Sequence, residues 1–165
     1  MLPKRKPTAL KDYDYSQPGA YFITLCTQNR MPLFGRINPR GEMELSPLGF
    51  LVKNRWQALP TRYPNLDTVS HQVCVVMPDH LHAVVHITAG GASPSPTLHQ
   101  ILGAFKSMTT IEINRIRNTP GEKLWQRSAN EHVIRNQEDF DSIADYILGN
   151  PQRWLEKYGP DRSFR

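Results

Sequence analysis

Residues 21–27 read Tyr-Phe-Ile-Thr-Leu-Cys-Thr, aromatic and β-branched with apolar positions alternating, and predict a strand with one buried face. A small strand is expected at 41–45. Ser46 and Pro47 then stand where a helix N-cap and first helical position belong. Leu48, Leu51, Val52, Arg55, Trp56 and Leu59 follow at helical spacing. A second strand is expected over 68–77, a break at Pro78-Asp79 and a third strand over 80–87. The Gly/Ser/Pro-rich stretch 90–96 reads as a loop. Thr97 should cap a long helix to about Arg117, one side of which carries Leu98, Ile101, Leu102, Phe105, Met108, Thr109 and Glu112. A fourth strand is expected at 130–134. A last helix should run from Gln137 towards Asn150, where Pro151 stops it.

The order β-α-β-β-α-β-α predicts an α+β fold. It is a ferredoxin-like antiparallel sheet with helices packed mainly on one face, plus a C-terminal helix. Residues 1–18 are basic and polar and read as an arm, 19–154 as a single domain, and 155–165 as a tail. The 165 residues suffice for a core without disulfides or metal. No apolar run approaches the ~20 residues of a membrane span, and the start lacks a signal-peptide apolar region, so a cytoplasmic protein is expected. Cys26 and Cys74 sit in apolar, strand-like runs and read as buried thiols.

Lys plus Arg number 20 against 15 Asp plus Glu, a formal +5. That balance suits a nucleic-acid partner, and equally suits simple solubility. Chemistry concentrates at Met77-Pro78-Asp79-His80-Leu81-His82. Strand side chains alternate, so His80 and His82 share a face roughly 6.6 Å apart, while Leu81 and Ala83 face a core. Two imidazoles on one face can share a divalent ion, although such pairs also arise by chance. Asp79 reads as a turn residue, and His86 as structural or surface.

In the last helix Phe140, Ile143, Ala144, Ile147 and Leu148 define an apolar stripe, with Tyr146 and Asn150 together on its flank one turn apart. Asn150 could offer a carbonyl oxygen to a hard cation and Tyr146 a phenol nucleophile. Capping before proline and ordinary packing account for the two residues as readily. A free phenol has a pKa near 10, so phenol chemistry at pH 7 needs help.

Several segments together resemble the HUH single-tyrosine transposases of the insertion sequence 200/605 group, and especially the REP-associated tyrosine transposases. They are Tyr13 to Thr24, Val76-Met77-Pro78-Asp79-His80-Leu81-His82, Gly103-Ala104-Phe105-Lys106-Ser107, Leu124-Trp125-Gln126-Arg127, His132 to Asn136, and Asp145-Tyr146-Ile147-Leu148-Gly149-Asn150-Pro151. They occur in the family's order from about residue 13 to 154. Ser128-Ala129-Asn130 departs from the aromatic pair common in relatives.

The resemblance implies that His80, His82 and Asn150 bind Mg²⁺ or Mn²⁺ and that Tyr146 is the nucleophile. Cleavage and rejoining of single-stranded or hairpin DNA would then pass through a 5′-phosphotyrosine. Lys106, Arg127, Arg135 and Arg153 are candidate backbone contacts and Trp125 a candidate stacking residue. A monomer or a homodimer is compatible with this, the latter able to exchange the last helix. The alternative is a non-catalytic nucleic-acid-binding module of the same fold, though an RNP1 pattern is absent. No H-E-x-x-H accompanies the pair to suggest a zinc hydrolase, and Asp79 alone does not make a two-metal carboxylate site.

Overall fold

The computed structural model describes residues 19–88 and 96–159. The expected arm, most of the 90–96 loop and residues 160–165 lie outside the described residues. Four strands form one antiparallel sheet in the order β4-β5-β1-β6: β1 Gly19–Cys26, β4 Cys74–Met77, β5 His80–Ile87 and β6 Asn130–Ile134. The expected α+β architecture is what the chain adopts.

Alternation along the two central strands decides what each face does. Tyr21, Ile23 and Leu25 of β1 join Leu81, Ala83, Val85 and Ile87 of β5 on one face, all within 1% of complete burial. Helix α1 (Pro47–Gln57) covers that face with Val52 and Trp56, and α4 (Leu98–Arg117) with Leu98, Ile101, Leu102, Phe105 and Ile113. Burying such a side chain contributes about 1.5–3 kcal/mol, so this cluster dominates stability. Both helices start as their caps predict. The Ser46 hydroxyl accepts from the Gly49 N–H, and Thr97 and Gln100 form a reciprocal capping box.

The opposite face carries Phe22, Thr24, His80 and His82, set side by side by the register Thr24↔His82 and Cys26↔His80. Against its edge pack α5 (Gln137–Leu148) and α6 (Asn150–Tyr158). A small second core of Ile37, Met77 and Trp154 anchors α6 there.

Four expectations need correction. Residues 68–77 are not one strand: α3 (Thr68–His71) precedes β4, capped by Asp67, whose carboxylate accepts from the Ser70 N–H. The 41–45 strand shrinks to β3 (Met43–Leu45) and pairs with an unforeseen β2 (Gly35–Ile37). Cys26 is buried, but Cys74 is only half-buried. Pro151 does not end the helical region. It sits in the first turn of α6, where its missing N–H is harmless, so the helix breaks at Gly149 and a further helix continues to Tyr158.

Candidate active site

The two expected metal ligands converge. His80 is 6% and His82 7% exposed, and their Nε2 atoms lie 3.1 Å apart. Two nitrogens each ~2.1 Å from one ion at a right angle would be about 3.0 Å apart. The fold therefore already holds the spacing that shared coordination requires.

The far side of each ring is fixed. Asp79 Oδ1 lies 2.6 Å from His80 Nδ1, and a carboxylate can only accept, so Nδ1 carries a proton. Thr24 Oγ1 lies 2.8 Å from His82 Nδ1 and, as a hydroxyl, can serve either tautomer. Burial, reinforced by the charges of His80 and Arg30, pushes the His82 pKa down to about 3, so its ring is neutral at physiological pH.

Asp79 is more than a turn residue. It is fully buried, and Arg30 Nε stands 3.1 Å from its Oδ2, close enough to neutralise it though not aligned for a hydrogen bond. Arg30 Nη1 also reaches Cys26 Sγ at 2.7 Å. Asn29 and Arg30 both hold positive φ, 58° and 53°, which is costly for non-glycine residues and fixes the direction of this arm. Carboxylate–imidazole pairs of this kind orient metal-binding histidines. The sequence signal for Asp79 was its place immediately before the His pair. Thr24 becomes visible only through strand register, and Arg30 only through the positive-φ turn that follows β1.

Tyr146 meets this centre from α5. Its ring centroid lies 5.6 Å from that of His82 and 6.2 Å from that of Phe22, which stacks on His82 at 5.4 Å. The residue remains 43% exposed, so it sits beside the buried pair yet stays open to solvent.

Asn150 is 8% exposed at the start of α6, beyond the helix break, and its amide makes no hydrogen bond among the described residues. The common flank expected from one continuous helix is replaced by one exposed and one buried residue on two helices. Arg153 folds back onto the Tyr146 ring, its Cζ 4.8 Å from the centroid.

The remaining candidates lie elsewhere. Trp125 is a correction: it is 3% exposed, its Nε1 donates to Thr109 Oγ1 at 2.9 Å, and its ring packs on Phe34 and Phe105, leaving no face for a base. Lys106 is half-buried and donates to the Gln126 and Arg127 carbonyls at 2.8 and 3.2 Å, and burial lowers its pKa. It braces that loop. Arg127 and Arg135 are exposed. Among the described residues no three of His, Cys, Asp and Glu come together as a metal site. No helix among them is long and apolar enough to cross a membrane.

No family model matches the chain. Over 167 residues it is 32% identical to an uncharacterized protein of Haemophilus influenzae, covering 91% of this chain and 89% of that one. It is 25% identical over 142 residues to a second Haemophilus influenzae protein, provisionally named a REP-associated tyrosine transposase, covering 84% and 73%. Its fold matches a solved REP-associated tyrosine transposase bound to a REP hairpin, with a TM-score of 0.60 and 20% identity over 88% of this chain and 73% of that one. An antiparallel sheet bearing paired histidines under a tyrosine helix, joined to this kinship, defines the class: the chain belongs to the HUH tyrosine transposase family. Within it, the named relatives are REP-associated tyrosine transposases, and the kinship is with enzymes that act on DNA.

Proposed function

We propose that this protein cuts and rejoins single-stranded or hairpin DNA of palindromic repeats through a 5′-phosphotyrosine on Tyr146. The observation that carries this reading is the convergence of the two Nε2 atoms, 3.1 Å apart, beside a half-exposed tyrosine ring 5.6 Å from His82. The hairpin bound to the solved transposase supports the substrate class.

His80 and His82 would hold a divalent cation, Mg²⁺ or Mn²⁺, with Asn150 supplying an amide oxygen. The donor set fits, because the two Nε2 atoms converge, the rings are held by Asp79 and Thr24, and the Asn150 amide has no other partner among the described residues. Such an ion would supply Lewis-acid stabilisation of charge developing on a non-bridging phosphate oxygen.

In the reaction Tyr146 Oη attacks the phosphorus and gives its proton to solvent. The bond from phosphorus to the 3′ oxygen breaks, and that oxygen takes up a proton to become a 3′ hydroxyl. One phosphodiester replaces another, so rejoining needs no nucleotide triphosphate, and no G-x-x-x-x-G-K-[ST] loop is present in the sequence. Phe22 and His82 flank the ring at the sheet surface, and single strands, whose scissile phosphate is not hidden in a duplex, are the expected substrate.

The test is direct. Incubation with a single-stranded oligonucleotide and Mg²⁺ or Mn²⁺ should give a protein–DNA adduct on a denaturing gel. Binding without any adduct, in either metal, would favour a non-catalytic module.

A further inference from the structure

Tyr146 is too exposed for its position to follow from burial alone, and one residue compensates. Arg153 stands one turn into α6, on the far side of the helix break. Its Nη1 donates to the Tyr146 carbonyl and its Nη2 lies 3.5 Å from the Asp145 carbonyl, which also accepts the Gly149 N–H, in the last turn of α5. The same guanidinium lies over the Tyr146 ring at 4.8 Å, in cation–π range. One side chain therefore grips both the backbone and the ring of the tyrosine.

Gly149 makes this grip possible. Its φ of −86° and ψ of 0° suit any residue, so glycine is not there for the turn. A Cβ at this position would stand 3.2 Å from Arg153 Nη2 and 3.4 Å from Arg153 Cζ, as well as 3.2 Å from the Asp145 carbonyl oxygen. A methyl group there would crowd the guanidinium where it crosses the break.

We propose that Arg153 is a positioning residue that holds the Tyr146 ring against His82 and Phe22, and that Gly149 is small to let it do so. This inference rests on the reading of Tyr146 as the nucleophile. It assigns Arg153 to the tyrosine and not to the DNA backbone. Misplacing a reacting atom by about 1 Å can cost roughly a hundredfold in rate, so the effect belongs in the chemical step.

The full-length protein with Arg153→Ala, Arg153→Lys and Gly149→Ala tests this, beside Tyr146→Phe. Single-turnover adduct formation should slow about ten- to a hundredfold in Arg153→Ala and Gly149→Ala, with partial rescue in Arg153→Lys. Oligonucleotide affinity and its salt slope should not move, and Tm should stay within about 3 °C. Without metal or DNA, the Tyr146 ring resonances should shift towards unstructured values in Arg153→Ala and Gly149→Ala and less in Arg153→Lys.

Parent-level adduct rates together with unmoved resonances in Arg153→Ala would overturn the proposal. So would weaker binding with a salt slope reduced by about one at an unchanged rate, the mark of a phosphate contact. Rate and Tm falling together in Gly149→Ala would reduce Arg153 to a structural cap. An adduct that persists in Tyr146→Phe removes the nucleophile reading instead, whereas its loss there beside a parent rate in Arg153→Ala defeats this inference alone.

Discussion

The strand that carries the histidines and the helix pair that carries the tyrosine solve positioning in opposite ways. On β5 the imidazoles are buried, paired across to β1 by register and fixed at Nδ1 by Asp79 and Thr24. At the α5–α6 junction Tyr146 is 43% exposed, and its ring is held by Phe22, His82 and the returning Arg153. On the proposed reading the histidines would hold a divalent ion, and a preset spacing suits that role. A nucleophile that becomes joined to a DNA strand must stay open to it. The difference teaches that burial and side-chain hydrogen bonds are concentrated on the histidine half, while the tyrosine half keeps its ring open to solvent.

The strongest way to break the comparison is to empty the rigid half. Replacing both histidines, His80→Ala with His82→Ala, should lower adduct formation about a thousandfold or more, because the stabilisation of transition-state charge is lost. It should also lower the melting temperature without metal, since Asp79 loses its buried imidazole partner at about 1–3 kcal/mol. Parent-rate cleavage would show that the centre lies elsewhere.

A milder change keeps both ligands and loosens one. Asp79→Asn removes the carboxylate that fixes the His80 tautomer, and Mn²⁺ affinity measured by titration should fall about 10- to 100-fold. Affinity equal to the parent would mean that the backbone alone orients the ring.

Hydrogen exchange sharpens the contrast in stability. Amides of β5 should exchange near the global unfolding limit, and those of α5 from Tyr146 to Leu148 should exchange faster through local opening. Equal protection would mean that the helix pair is as firmly set as the sheet.

The smallest effect comes from a buried histidine with no part in the site. His71 stacks on Trp56 at 4.9 Å and donates Nε2–H to the Trp56 carbonyl, and burial lowers its pKa below 6.5. The folded chain then binds fewer protons here than the unfolded chain as pH falls below about 6.5. Stability is lost in that window and retained above it. The slope from this group is at most about 1.4 kcal/mol per pH unit, and His71→Gln should remove it. A denaturation series between pH 7 and 5 measures it, and an unchanged slope in His71→Gln would assign the pH dependence to other groups.

The two halves also differed in how far they could be read from the chain alone. Period-two alternation placed His80 and His82 on one face and Leu81 and Ala83 in the core, because the register of a central strand is enforced on both sides. Ser46, Thr97 and the strand at Asn130–Ile134 were legible for the same reason: local chemistry and tertiary packing agree there.

The tyrosine half was legible in its residues but not in its geometry. Pro151 signals a helix end and a helix start equally well, and only the docking of Trp154 on Ile37 and Met77 decides for a start. The β-branched Thr68 and Val69 resemble a strand until Asp67 is seen to cap them. Trp125 lies in a family-like motif that suggests recognition, yet Phe34, Phe105 and Thr109 claim it for the core. Burial by residues distant in sequence leaves no local pattern.

The most direct test of the central claim is to digest the wild-type protein–DNA adduct and map the modified peptide by mass spectrometry. The 5′ phosphate should be found on Tyr146, the tyrosine against His82, and the adduct should vanish in Tyr146→Phe while folding and DNA binding persist. A phosphate on Tyr63, Tyr158 or the fully buried Tyr21, or an adduct that survives in Tyr146→Phe, would contradict the assignment.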